Sequence, residues 1–202
     1  MRKLLAIVSA LVICLSACQT ERGHSIYNGQ KLRAGDIVLR CGTGIASRAV
    51  LMADEGGHYS HVGIVVDSSG VMMIVHAVPD EPEWETDVDR IKMDAVDVFY
   101  SSIRASSGMV LRCEDSIWAQ RAASVAYALY KARILFDHEY DASDTTMMYC
   151  SEMVEHAYRK AGGQSITGCA RHDIDLPAFH YNGVILPSDF MRSDHLKTIT
   201  VF

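Results

Sequence analysis

The sequence predicts an α+β domain in which an antiparallel sheet packs against a helix that starts at Cys150. Two observations carry this. Two β-rich runs, "HYSHVGIVV" and "VMMIVHAV", flank Asp67, Ser68, Ser69 and Gly70, a hairpin signal. Further along, Cys150, Met153, Val154, Ala157 and Tyr158 recur at i, i+3, i+4, i+7 and i+8, the spacing of one helix face, so that face is expected to lie against the sheet. The 202 residues amount to about one domain.

The chain opens with "MRKLLAIVSALVICLSAC": Arg2 and Lys3, an apolar run from Leu4 to Leu15, then Ser16 and Ala17 before Cys18. This is the pattern of a secretory signal peptide over residues 1–17, too short to span a bilayer. Leu15 to Cys18 also look like a bacterial lipobox, which implies cleavage before Cys18 and diacylglyceryl attachment to its sulfur. Gln19 follows and, by resemblance to sorted lipoproteins, implies a lipid-anchored protein of the bacterial cell envelope, at the outer membrane facing the periplasm. More than one acyl chain is needed for stable anchoring, and a lipidated cysteine supplies it. Residues 18–34 are polar and aperiodic, and read as a tether to a domain spanning 35–202.

Loss of Arg2 and Lys3 from 19 basic side chains leaves 17 against 25 acidic ones, a net charge of about −8 with neutral histidines. That balance argues against a nucleic-acid partner. With Cys14 removed and Cys18 lipidated, Cys41, Cys113, Cys150 and Cys169 remain in an oxidising compartment. A free thiol at Cys150 leaves room for at most one disulfide, of undefined pairing.

Within the domain, "GDIVLRC" reads as a buried strand and "GIASRAVLMA" as a helix from near Gly44. After the hairpin, "VPDEPEWETDVDR" (78–90) holds two prolines and six acids and reads as an exposed, solvated loop. Asp94 is expected to cap a short helix reaching about Ser102, and "GMVLRC" to form a strand. Glu114 and Asp115 place negative charge at the start of a longer helix through "SIWAQRAASVAYALYKAR". Asp144, Thr145 and Thr146 are capping candidates for the Cys150 helix, which Gly162 and Gly163 end. The tail, "GVILPSDFMRSDHLKTITVF", suggests a strand, a turn at Pro187 and a terminal strand.

A cysteine at a helix start sits where backbone amides and the helix dipole favour thiolate, the species that attacks carbonyls. Filler and nucleophile are about equally compatible with that position. A nucleophile needs a base and an orienting group. His61 opens the first hairpin strand and His76 lies near the end of the second, so a tight return brings them close. His58 and His61 with His76 and Cys150 also have the donor types of a zinc site. His58 and His61, three apart, would fall on opposite faces of a strand, which disfavours it. No metal or cofactor is expected.

"GDIVL", "SHVGIVV" and "IVHA" resemble consecutive blocks of the NlpC-type papain-like cysteine peptidases. In most of that superfamily the cysteine helix precedes these blocks, whereas "YCSEMV" follows them here. The order is similar to that of the circularly permuted YiiX/YebB-like hydrolases, relatives of the lecithin-retinol acyltransferase group, as are "FDHEYD" and "LPSDFMRSDHLK". The likeness covers roughly residues 32–200.

It implies a permuted papain-like fold, with Cys150 as nucleophile, His61 as general base and His76 as the residue that orients it. Many members of this branch have an acid at the third position; His76 is an imidazole, which supports an imidazolium less well and loses that role when protonated, so activity is expected to fall in mild acid. The Cys150 backbone amide is the expected oxyanion donor. Tyr149 and Tyr59 read as packing aromatics.

The expected activity is thiol hydrolysis of an amide, in a peptide or acyl-amide substrate. A peptidoglycan peptide is favoured by cellular location. A lipid-directed acyltransferase or esterase, or a non-catalytic lipid-anchored binding module, is the alternative. Residues 40–57 and 78–90 are expected to set specificity. Oligomeric state is not legible.

Overall fold

The computed structural model describes residues 23–176 and 179–202; the leader expected over 1–17 and the lipid site at Cys18 lie outside them. Six strands form one antiparallel sheet: β1 (Ile37–Gly42), β2 (His61–Ser68), β3 (Val71–Val78), β4 (Arg90–Ala95), β5 (Ala105–Cys113) and β8 (Leu196–Val201), in spatial order β4-β3-β2-β1-β5-β8. A separate hairpin pairs β6 (His172–Leu176) with β7 (Phe179–Val184). The helices are α1 (Ile45–Ala53), α2 (Val96–Phe99), α3 (Ser116–Lys131), α4 (Cys150–Gly162) and α5 (Pro187–Met191).

Alternation along the strands divides the sheet into two buried faces. Ile37, Leu39, Val62, Ile64, Val75 and Ile91 meet α3 and α4. On α4 the contacts come from Met153, Val154, Ala157 and Tyr158, all fully buried. That is the face the sequence spacing predicts, and each large apolar side chain so placed contributes about 1.5–3 kcal/mol. Trp118 Nε1 of α3 donates to the Tyr158 carbonyl at 2.7 Å, and the Tyr158 hydroxyl donates to the Gly35 carbonyl at 2.5 Å, which ties both helices to the start of β1. Val38, Val65, Ile74 and Val110 point to the opposite face, where Phe99 and Tyr100 cover them.

Several local expectations differ from the structure. Residues 23–34 were expected to belong to the tether, yet Ile26, Tyr27 and Leu32 join the second core, with Tyr27 stacked on Tyr100. Three apolar side chains dispersed among polar ones are enough to dock an aperiodic segment. Asp94 does not cap a helix: it lies in β4, and the short turn α2 is capped by Ala95. Asp144 closes a turn on Thr146, while Tyr149 is the extended N-cap of α4. Gly163, in the left-handed region at φ 74°, ends α4 as its sequence implies. Pro187 opens one helical turn, stabilised by Asp189 accepting from the Leu186 amide at 2.8 Å.

The acidic loop after β3 is not simply solvated. Glu81 pairs with buried Arg40 and with Arg104, and Asp87 accepts from Arg90 and Lys92. Cations on the sheet (Arg40, Arg90, Lys92) and beside it (Arg104) hold it down.

Candidate active site

His61 is the first residue of β2, paired with Arg40 of β1. In the β2–β3 register Ile64 faces Val75, so His61 and His76 are diagonal neighbours on one face. His61 Nε2 and His76 Nδ1 are 2.9 Å apart, and the rings meet edge to face with centroids 5.1 Å apart. Phe99 packs against both. Gly63 leaves the space for this arrangement: a Cβ there would come within 2.8 Å of Ile74 Cγ2 and 3.2 Å of His76 Cβ.

Behind His76 lies a carboxylate that sequence reading assigned elsewhere. In the β3–β4 register Ile74 pairs with Asp94 and His76 with Lys92, which places Asp94 diagonal to His76 on the same face. Asp94 Oδ2 is 3.3 Å from His76 Nε2, the separation of an ion pair rather than of a well-aligned hydrogen bond. Arg104 Nη1 donates to the same oxygen at 2.8 Å. Burial works against ionisation of Asp94, but His76, Arg104 and Arg40 prevail and hold its carboxyl at about 2. The alternation Lys92–Asp94 in "IKMDA" was the available signal; without a register it could not be paired with His76.

Cys150 approaches from α4. The extended Tyr149 turns the chain into the helix, and the thiol is half-buried, with the backbone amides of Val62, Ser151 and Cys150 itself donating towards Sγ. Val62 is the residue after His61, so the strand that carries the histidine also touches the sulfur. The two side chains line one cavity.

Burial nevertheless pushes the Cys150 thiol up, outweighing those amides. This overturns the expectation of a resting thiolate. Burial, then Arg40 and His76, push the His61 imidazole well below its ordinary value. The resting pair is therefore thiol and neutral imidazole.

Two cavities open at Cys150. One, of about 480 Å³, runs past Arg40, Ser60, His61, Asp80, Glu81 and Arg104. The other, of about 550 Å³, is walled by Ala49 and Ala53 of α1, Ile174 of β6, and Val184, Ile185 and Leu186. Tyr140 lines both, and burial followed by proximity to Cys150 raises its phenol. Helix α1 forms a common wall and has no buried residue; Ile45 is 87% exposed.

The Tyr149 hydroxyl accepts from the Ile185 amide at 2.9 Å and the residue lines the apolar cavity beside Cys150, whereas Tyr59 is buried away from both cavities. His58 lies in the loop before β2, so strand alternation does not apply to it. Among the described residues no group of three or more His, Cys, Asp or Glu side chains is placed to hold a metal ion. Cys41, Cys113, Cys150 and Cys169 are all free thiols.

A cysteine at a helix start above an antiparallel sheet, sharing a cavity with a histidine that contacts a second polar group, defines the papain-like class of cysteine hydrolases. Residues 31–200 match the model of the "permuted papain-like amidase enzyme, YaeF/YiiX, C92 family", and the chain belongs to that family of cysteine hydrolases. The fold is similar to the crystal structure titled metalloprotein yiiX from Escherichia coli O157:H7. The two share 18% identity with a TM-score of 0.66, over 83% of this chain and 96% of that one. No curated protein sequence matches the chain.

Proposed function

We propose that Cys150, His61 and His76 hydrolyse an amide through a thiol acyl-enzyme, and that the acyl part of the substrate is apolar. The observation that carries this reading is the apolar cavity between α1 and the β7–α5 segment, which Cys150 helps to line. A hydrocarbon chain there would gain about 0.8 kcal/mol per buried methylene.

His61 contacts His76 through Nε2, which leaves Nδ1 to take the thiol proton. Because burial raises the thiol and lowers the imidazole, this transfer is best coupled to attack on the carbonyl rather than completed beforehand. The developing oxyanion falls to amides at the start of α4. His61 then protonates the departing amine, water enters, and the same imidazole serves as base for release of the acid. The first cavity, which carries Arg40, Asp80, Glu81 and Arg104 among its lining residues, receives the amine portion.

A peptidoglycan peptide is the second reading, and the charged side chains lining that cavity, Arg40, Asp80, Glu81 and Arg104, are the feature that favours it. Both substrates are within reach of a protein anchored through Cys18 to the outer membrane and facing the periplasm.

The test incubates the mature chain and Cys150→Ala with N-octanoyl and N-acetyl p-nitroanilide, p-nitrophenyl octanoate and muropeptides. The expected result is amide cleavage favouring the octanoyl group, reduced about 10⁴-fold or more in the variant. Undiminished cleavage by Cys150→Ala removes the nucleophile. Cleavage confined to muropeptides selects the peptide reading, ester turnover or acyl transfer without amide hydrolysis selects an esterase or acyltransferase, and binding without turnover selects a binding module.

A further inference from the structure

We infer that Asp94 is a positioning residue for the base: acting through His76, it selects the ring tautomer in which His61 presents a lone pair at Nδ1. The inference rests on the reading of Cys150 and His61 as nucleophile and base.

A carboxylate can only accept. With Asp94 Oδ2 beside Nε2 of fully buried His76, the favoured neutral form of His76 carries its proton on Nε2. Its Nδ1 is then an acceptor, so the 2.9 Å contact requires His61 to donate from Nε2. One proton remains on a neutral imidazole, and His61 Nδ1 is left bare. Reversal of the chain of donors would put a proton on the nitrogen that must receive one.

The same arrangement answers the weakness of an imidazole in third place. When His61 gains a proton, its buried ring becomes a cation beside Arg40. The Asp94 carboxylate behind His76 is a compensating charge in line with it. The charged and titratable groups along the His61–His76–Asp94 line come from every adjoining element: His61 on β2, Arg40 on β1, Asp94 and Lys92 on β4, and Arg104 and Glu81 on the loops. Lys92 is engaged by Asp87 and Arg104 by Glu81 and Asp94, so Asp94 is the member of the set that touches His76 with negative charge.

Two substitutions separate tautomer from charge. Asp94→Asn can place its amide oxygen where Oδ2 receives both Arg104 and His76, which keeps the tautomer and removes the charge. Asp94→Ala removes both. The measurements are ¹⁵N ring shifts of His61 and His76 in histidine-labelled protein, the rate of Cys150 alkylation by iodoacetamide across pH, and cleavage of p-nitrophenyl octanoate.

The wild-type rings are expected to carry their protons on Nε2. Alkylation and turnover at neutral pH should fall about 10- to 100-fold in Asp94→Ala and by less in Asp94→Asn. The acid limb of both profiles should move to lower pH, because a negative charge that favours imidazolium has gone.

Wild-type protons on Nδ1, or an Asp94→Ala protein with unchanged tautomers and pH profile, overturns the inference. Should Asp94→Ala not fold, the wild-type shifts and the Asp94→Asn profile still decide. Turnover that survives Cys150→Ala ends the catalytic reading alone, since the ring shifts do not depend on it.

Discussion

The two sides of Cys150 are built differently. On one, His61, His76 and Asp94 stand on adjacent strands of the central sheet, held by Phe99, over whose ring Arg40 lies, and by the ion pair between Asp94 and Arg104. On the other, α1 contributes no buried residue, and the wall is completed by the detached β6–β7 hairpin. In the proposed reaction the groups that exchange protons with the thiol sit on register-locked strands, where tenths of an ångström matter. The part that meets the substrate sits on elements with little packing energy, which can shift or vary without disturbing the sheet. On the proposed mechanism, such a division would let one catalytic frame serve different acyl groups.

Three substitutions sharpen or break this contrast. The largest effect is expected from Gly63→Ala, which drives a methyl group into Ile74 and His76 in the rigid half. Stability should fall by about 1–3 kcal/mol in urea unfolding, and alkylation of Cys150 should slow as the histidine pair is displaced. Unchanged stability and reactivity would show that the frame is softer than its packing suggests.

On the yielding side, Ala49→Trp narrows the apolar cavity without touching the histidines. KM for the octanoyl amide should rise about tenfold while the acetyl amide is turned over normally. An equal loss for both would mean that α1 belongs to the rigid half.

A third effect concerns Glu152, in the first turn of α4, whose carboxyl burial first, then Asp137, pushes up to about 8 against a hydrogen bond from the Tyr149 amide. A carboxyl pKa raised in the folded state means that the folded protein holds a proton the unfolded chain has released. Stability should therefore decline between about pH 4.5 and 8 and level off above. Glu152→Gln removes the decline, seen as a higher Tm than wild type at pH 9 and little change at pH 5.

The rigid half was also the legible half. "GDIVL", "SHVGIVV" and "IVHA" mark β1 to β3 through runs of β-branched residues, and the Cys150 face follows from helical spacing. Asp94 escaped because a lone acid before a hydrophobic run reads as a helix cap, and only the β3–β4 register pairs it with His76. The loop at 78–90 read as solvated because its counter-charges, Arg40, Arg90, Lys92 and Arg104, are distant in sequence or hidden in strands. The thiol was misjudged because helix position is visible in a sequence and desolvation is not.

The two ends of the described chain lie side by side: Asn28 Nδ2 donates to Thr200 Oγ1 at 2.6 Å, and the Tyr27 ring meets that of Phe202 edge-on. The domain is in effect a closed ring with a cut between these residues. Joining 202 to 28 through a short linker and reopening the chain in the loop between α3 and α4 would put the cysteine helix first, restoring the more common order of blocks without moving an element. Where the gene begins and where the catalyst begins are separate questions.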